Sequence, residues 1–224
     1  MKTTLLICLF LSHSLFAASF RDYQCGTQGS QISNKLLVGL NGSGKHNVWS
    51  STYRQQLTYC ISNNYGGLKS TMVRAFQAAT KDWQRYANVR FIYMRKQDSK
   101  CNDSNRDVLF RVSMFNNPNS NLAGRAFFPY AAASKRKIIF NKKFVQGNYN
   151  LLLWLTKHEL GHVLGFRHEH AHSQNNSSCS EGGRFDAVTA YDRKSVMHYQ
   201  QCNGAKRSPW LSRLDKKGAK LVYP

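Results

Sequence analysis

The chain has 224 residues, 42% of them apolar and 12% aromatic, and its 32 Lys and Arg outnumber 11 Asp and Glu to give a net charge of +21. That length and apolar load suit one packed domain rather than two. With only 4 Pro and 15 Gly, the composition excludes a collagen-like repeat and a wholly disordered chain. Residues 1–18 come first: Lys2, the apolar run 5–10 and the small pair Ala17-Ala18 read as a secretory signal peptide. The mature chain is therefore expected from about Ser19, secreted to an extracellular or periplasmic location. No later stretch approaches the roughly 18 uncharged apolar residues that a membrane span needs. Removing Cys8 with the leader leaves Cys25, Cys60, Cys101, Cys179 and Cys202, so two disulfides and one spare thiol are expected.

Residues 19–44 hold no sustained apolar period and end in Asn41-Gly42-Ser43-Gly44, which reads as a pro-segment or arm ahead of a folded domain at 45–224. Residues 57–61 read as a strand. Met72, Phe76, Ala79 and Trp83 then recur at helical spacing up to about Ala87. Four further short strands are expected at 89–94, 108–114, 122–128 and 137–141, where β-branched or aromatic segments lie between polar loops. A second helix runs over about 150–164 and stops at Gly165, the residue type that most easily takes the left-handed conformation closing a helix. Residues 171–195 are polar and without period. A last helix begins at Ser212, with Asp215 completing a capping box. The fold class is α+β, with a larger sheet-containing part before Gly165 and a smaller irregular part after it.

Six of the eight histidines lie between residues 158 and 198, and the densest stretch reads His158-Glu159-Leu160-Gly161-His162-Val163-Leu164-Gly165-Phe166-Arg167-His168. Residues four apart share a helix face, so His158 and His162 can aim at one ion while Glu159 stands beside it. Gly165 turns the chain and brings His168 round as a third ligand, leaving the fourth tetrahedral position of a single Zn2+ open for water. Zinc lowers the pKa of such a water and polarises a carbonyl, and Glu159 is placed to take the water's proton and hand it to the leaving amine. This predicts peptide hydrolysis without a covalent intermediate.

Downstream stands Ser195-Val196-Met197-His198-Tyr199. The extended zinc motif followed by a methionine turn resembles the metzincin clan of metalloproteases, and Phe166-Arg167-His168-Glu169-His170 with the 195–199 segment resembles the astacin family in particular. Trp49 with Leu57-Thr58-Tyr59-Cys60-Ile61, the 122–129 segment and the 211–223 segment look more like matrixins. The resemblance implies a metzincin-like zincin fold, Met197 as an apolar base beneath the zinc, and Tyr199 as a movable ligand whose hydroxyl helps hold the oxyanion. It also implies that 122–127 is an edge strand above the cleft that pairs with extended substrate. The loop 114–121 lacks His and Asp, so no further structural metal is implied there.

Cys179 and Cys202 flank the polar loop and methionine turn and are expected to pair. Cys25 has two readings: a thiolate that holds the enzyme latent on the open zinc position, or a disulfide with Cys60 or Cys101. They separate on whether a Cys25→Ser chain still needs trimming of residues 19–44 before it cleaves. The positive charge is spread over Arg95-Lys96, Lys135-Arg136-Lys137, Lys142-Lys143 and Lys206-Arg207, which forms no specific nucleic-acid motif but suits an acidic polymer or an anionic cell surface. Two functions follow: a secreted zinc endopeptidase acting, as a monomer, on protein or peptide substrates, or a basic polyanion-binding protein in which zinc only braces the fold.

Overall fold

The computed structural model describes residues 24–25, 36–175, 177–179 and 181–224, so the signal-peptide reading of 1–18 lies outside the described residues. The five expected strands form as β3 (Leu57–Ile61), β4 (Phe91–Tyr93), β5 (Phe110–Phe115), β6 (Leu122–Arg125) and β7 (Lys137–Asn141). With β1 (Gln24–Cys25) they build one mixed sheet in the order β1-β6-β7-β5-β3-β4. All neighbours run parallel except β6, which is antiparallel to β7.

The sheet packs against two helices. Along α1 (Lys69–Gln84) the buried Met72, Phe76, Ala79 and Trp83 form the expected stripe, and Tyr59, Phe76 and Phe110 meet ring to ring beneath β3 and β5. Helix α3 (Tyr149–Val163) starts at Asn148, whose side chain accepts hydrogen bonds from the Asn150 and Leu151 amides. From Leu152 to Val163 it is buried on every side, as a helix between two layers must be. Gly165 closes it at φ +95°, where a Cβ would also overlap the Asn47 carbonyl. The carbonyls left open at the end of α3 find distant donors: Trp49 Nε1 on Val163 at 2.7 Å and Tyr223 Oη on Leu164 at 2.7 Å.

After Gly165 the chain is mostly irregular until α4 (Arg213–Val222), which opens with the expected Ser212/Asp215 capping box. One feature departs from expectation. Leu36, Leu37 and Val38 are fully buried, and β2 (Leu37–Gly39) pairs antiparallel with β8 (Phe185–Ala187) inside the stretch that carries no period. The packed body therefore extends N-terminal to Lys45. Three apolar residues are too few to set a period, and their partner strand lies almost 150 residues away.

Disulfides join Cys60 to Cys101 and Cys179 to Cys202. The second is the expected pair. The first corrects the reading in which Cys25 bonds to Cys60 or Cys101. The backbone of Gln24–Cys25 instead lies along β6, with Cys25 opposite Gly124. Short α2 (Lys142–Val145) links β7 to α3, and no helix among the described residues is long and apolar enough to cross a membrane.

Candidate metal and catalytic site

The last two turns of α3 and the turn at Gly165 bring His158, His162 and His168 together, with one ligand atom of each lying within 4.8 Å of the others. Each ring is tied at Nδ1 by a group that can only accept. His158 Nδ1 meets the Val196 carbonyl, His162 Nδ1 the Phe166 carbonyl and His168 Nδ1 the Glu181 carboxylate, all at 2.8 Å. These partners fix the proton on Nδ1 and leave the Nε2 lone pairs pointing inward. The Nε2 atoms of His162 and His168 then face each other at 3.1 Å, and His158 Nε2 is buried without a hydrogen-bond partner. Converging lone pairs repel unless a cation lies between them, so the donor set fits a metal. Burial holds all three imidazoles below their usual pKa, His158 being pushed down to about 4, which keeps them neutral and ligating near pH 7.

Glu159, next to the first ligand, is buried under the edge of the sheet. A Cβ added to Gly124 would stand 2.8 Å from Glu159 Oε1, so any side chain there would push this carboxylate from its place against β6. The Tyr199 ring sits among the imidazoles, its centroid 5.6 Å from that of His158, 4.4 Å from His168 and 4.7 Å from His170. Met197 is fully buried beneath α3, its sulfur occupying the space a side chain at Gly161 would take. All five residues singled out from the sequence as ligands or catalysts thus share one site.

Further residues support the site without having been singled out as ligands or catalysts; Glu181 carries no sequence signal, whereas His170 and Asp215 are legible only as part of a family-like stretch and of a helix cap. Glu181 accepts from His168 Nδ1 and from the His168 amide, and is itself paired with Arg167 at 2.8 Å. His170 approaches the same carboxylate, so His168, His170 and Glu181 form a second converging group that shares a ligand with the first. Asp215 accepts from the Ser195 hydroxyl at 2.6 Å and the Val196 amide at 2.9 Å, bolting the methionine turn to α4. Because Val196 in turn orients His158, the cap of the last helix reaches the first ligand. Glu169, buried beside the site, accepts from the Asp192 amide at 2.7 Å, and burial raises its pKa well above the usual carboxylate range.

The matrixin family profile, Peptidase_M10, matches residues 48–178, more than half of the 224. The chain belongs to the matrixin family. Two solved structures of myroilysin resemble it at 19% and 18% identity, with TM-scores of 0.56 and 0.55, covering 80% and 91% of this chain and 96% and 95% of theirs. That level of identity speaks for the fold. High choriolytic enzyme 1, a hatching-enzyme zinc-protease of the medaka Oryzias latipes, is 16% identical with a TM-score of 0.46 over 78% of this chain and 96% of its own. No curated protein sequence matches. A matrixin-family domain whose His158, His162 and His168 converge in the zinc-motif spacing is a zinc metallopeptidase of the metzincin clan; its cofactor is a catalytic zinc, and those three residues fit its site.

Proposed function

We propose that the protein is a secreted endopeptidase in which Glu159 is the general base and Tyr199 the oxyanion donor. The observation that carries this reading is the convergence of three neutral imidazoles, each locked at Nδ1, with Glu159 one residue from the first and the Tyr199 ring lying over them. When bound, zinc supplies a Lewis acid and an acidified water. The Glu159 carboxylate takes the water's proton and later gives it to the leaving amine. The Tyr199 hydroxyl donates to the oxygen on which charge develops. This tyrosine is the astacin-like part of the reading, set in a matrixin-family domain.

Strand β6 supplies the backbone partners that hold an extended peptide across Glu159. Residues 24–25 pair with that same edge, which supports reading the N-terminal arm as a pro-segment covering the cleft; in this reading Cys25 is the latent thiol, and 1–18 is the export signal on the strength of the sequence alone. A zinc that only braced the fold would call for a fourth protein ligand, whereas the group around His158 contains three among the described residues. Glu159→Gln is the test. The variant is expected to bind zinc and fold as the wild type does but to lose at least about a hundredfold in turnover of a peptide library. Near-wild-type cleavage would exclude the assigned role.

A further inference from the structure

Between the methionine turn and α4 lies a cavity of about 580 Å3, lined by Trp210, Lys194, Lys206, Arg213 and Asp192 among others, and by none of the residues placed at the zinc. Trp210 is 68% exposed, the most exposed large apolar side chain among the described residues. Its ring is nevertheless held in place. Lys157, fully buried on α3, donates to the carbonyl of Pro209, just before the tryptophan, and pairs with Asp82. The same ammonium lies 5.4 Å from the indole centroid, so one side of the ring is backed by a fixed cation while most of its surface remains open to solvent.

Lys194, Lys206 and Arg213 are exposed, and none takes part in an ion pair among the described residues. The one acid in the lining, Asp192, accepts from the Lys194 amide at 2.9 Å.

We infer that this cavity binds an acidic polysaccharide, with a sugar ring lying on the Trp210 indole and its carboxylate or sulfate groups meeting Lys194, Lys206 and Arg213. The indole face carries the negative side of its quadrupole and attracts the polarised C–H groups of a pyranose. Three cations against the single carboxylate of Asp192 leave the concave site with a net positive field that draws in a polyanion. A concave pocket with one fixed aromatic ring suits a sugar better than a membrane, because Leu211 beside it is buried and adds no protruding apolar surface. A peptide is disfavoured too. The lining residues belong to loops and the start of α4, with no strand edge to pair with an extended backbone.

The experiment uses the zinc-loaded full chain carrying Glu159→Gln, so that binding is read whether or not the wild type is a peptidase. Calorimetric titrations compare hexagalacturonate and a heparin hexasaccharide with neutral maltohexaose, hexaglutamate and phosphatidylglycerol vesicles. Saturable binding of at least one acidic hexasaccharide and none of maltohexaose is expected. Trp210→Ala should weaken it about tenfold, and Lys206→Gln with Arg213→Gln should weaken it and flatten its salt dependence. Lys135→Gln, an exposed lysine between β6 and β7 that lines a different cavity, should leave it unchanged and so controls for bulk charge. The inference is overturned if neither acidic hexasaccharide binds, if Trp210→Ala binds as the parent does, if Lys135→Gln costs as much as the cavity variants, or if hexaglutamate or the vesicles bind more tightly through the same residues.

Discussion

The parts of the molecule before and after Gly165 are held together in different ways. Before it, one continuous apolar cluster runs from β3 and β5 through α1 into α3, and Phe110 alone meets the rings of Tyr59, Phe76, Phe91 and Phe127. After it, Val196, Met197 and Leu211 still reach that core, but position is set by single directed links: Glu181 on His168, Asp215 on the methionine turn, and the Cys179–Cys202 bond. Packing fixes where α3 lies. Directed bonds fix which way its ligands point. Stability and catalytic geometry are thus supplied largely by different residues.

If so, the two parts should respond to mutation with different readouts. Phe110→Ala should cost about 3–5 kcal/mol in urea unfolding while leaving the zinc affinity of the folded fraction near that of the wild type. Equal loss of both would erase the distinction. Tyr199→Phe should do the reverse, lowering kcat by about a hundredfold with KM and unfolding little changed; steady-state kinetics showing a KM effect alone would remove the hydroxyl from the oxyanion role.

Glu181→Ala should weaken zinc about 10–100-fold in a chelator competition and, because it strips the buried Arg167 of its carboxylate, should lower the melting temperature as well. The smallest effect belongs to Asp215, whose pKa burial raises against the pull of the Ser195, Val196 and Ser212 donors. A raised folded-state pKa favours the protonated form on folding. Its contribution is therefore complete at low pH and is lost as pH climbs through and above the usual carboxylate value of about 4. Asp215→Asn should remove that component, so the wild type should lose more stability than the variant across this window; parallel pH profiles would count against it.

The same contrast decides what could be read from the sequence. The strands at 57–61, 110–115 and 137–141 are short apolar or β-branched runs, α1 buries a stripe with a helical period, and Gly165 and Ser212 punctuate the end of α3 and the start of α4. The zinc ligands were legible because a helix fixes the spacing of His158 and His162, and one glycine fixes the turn to His168. Glu181 was not, since a lone glutamate in Ser180-Glu181-Gly182-Gly183 has no spacing relation to the histidine it orients. Nor was β8, which offers one buried residue, Phe185, and depends on β2 for its existence. Gly124 is intermediate: it was read as part of a substrate-edge segment, but its reason for being glycine lies on another element, in the Glu159 carboxylate.

The stitch made by Tyr223 also has a bearing on synthesis. Its hydroxyl donates to the Leu164 carbonyl and accepts from the Trp49 amide, so the end of the helix carrying His158 and His162 is closed by a residue made about sixty positions later. A nascent chain that has already exposed its histidine motif still lacks that closure, along with the α4 carboxylate that seats the turn under the metal. The helix that carries the ligands and the turn beneath them are therefore both secured from the last helix and the residue after it, so a cut between residues 199 and 212 would leave the histidine motif intact and yet remove two of its supports.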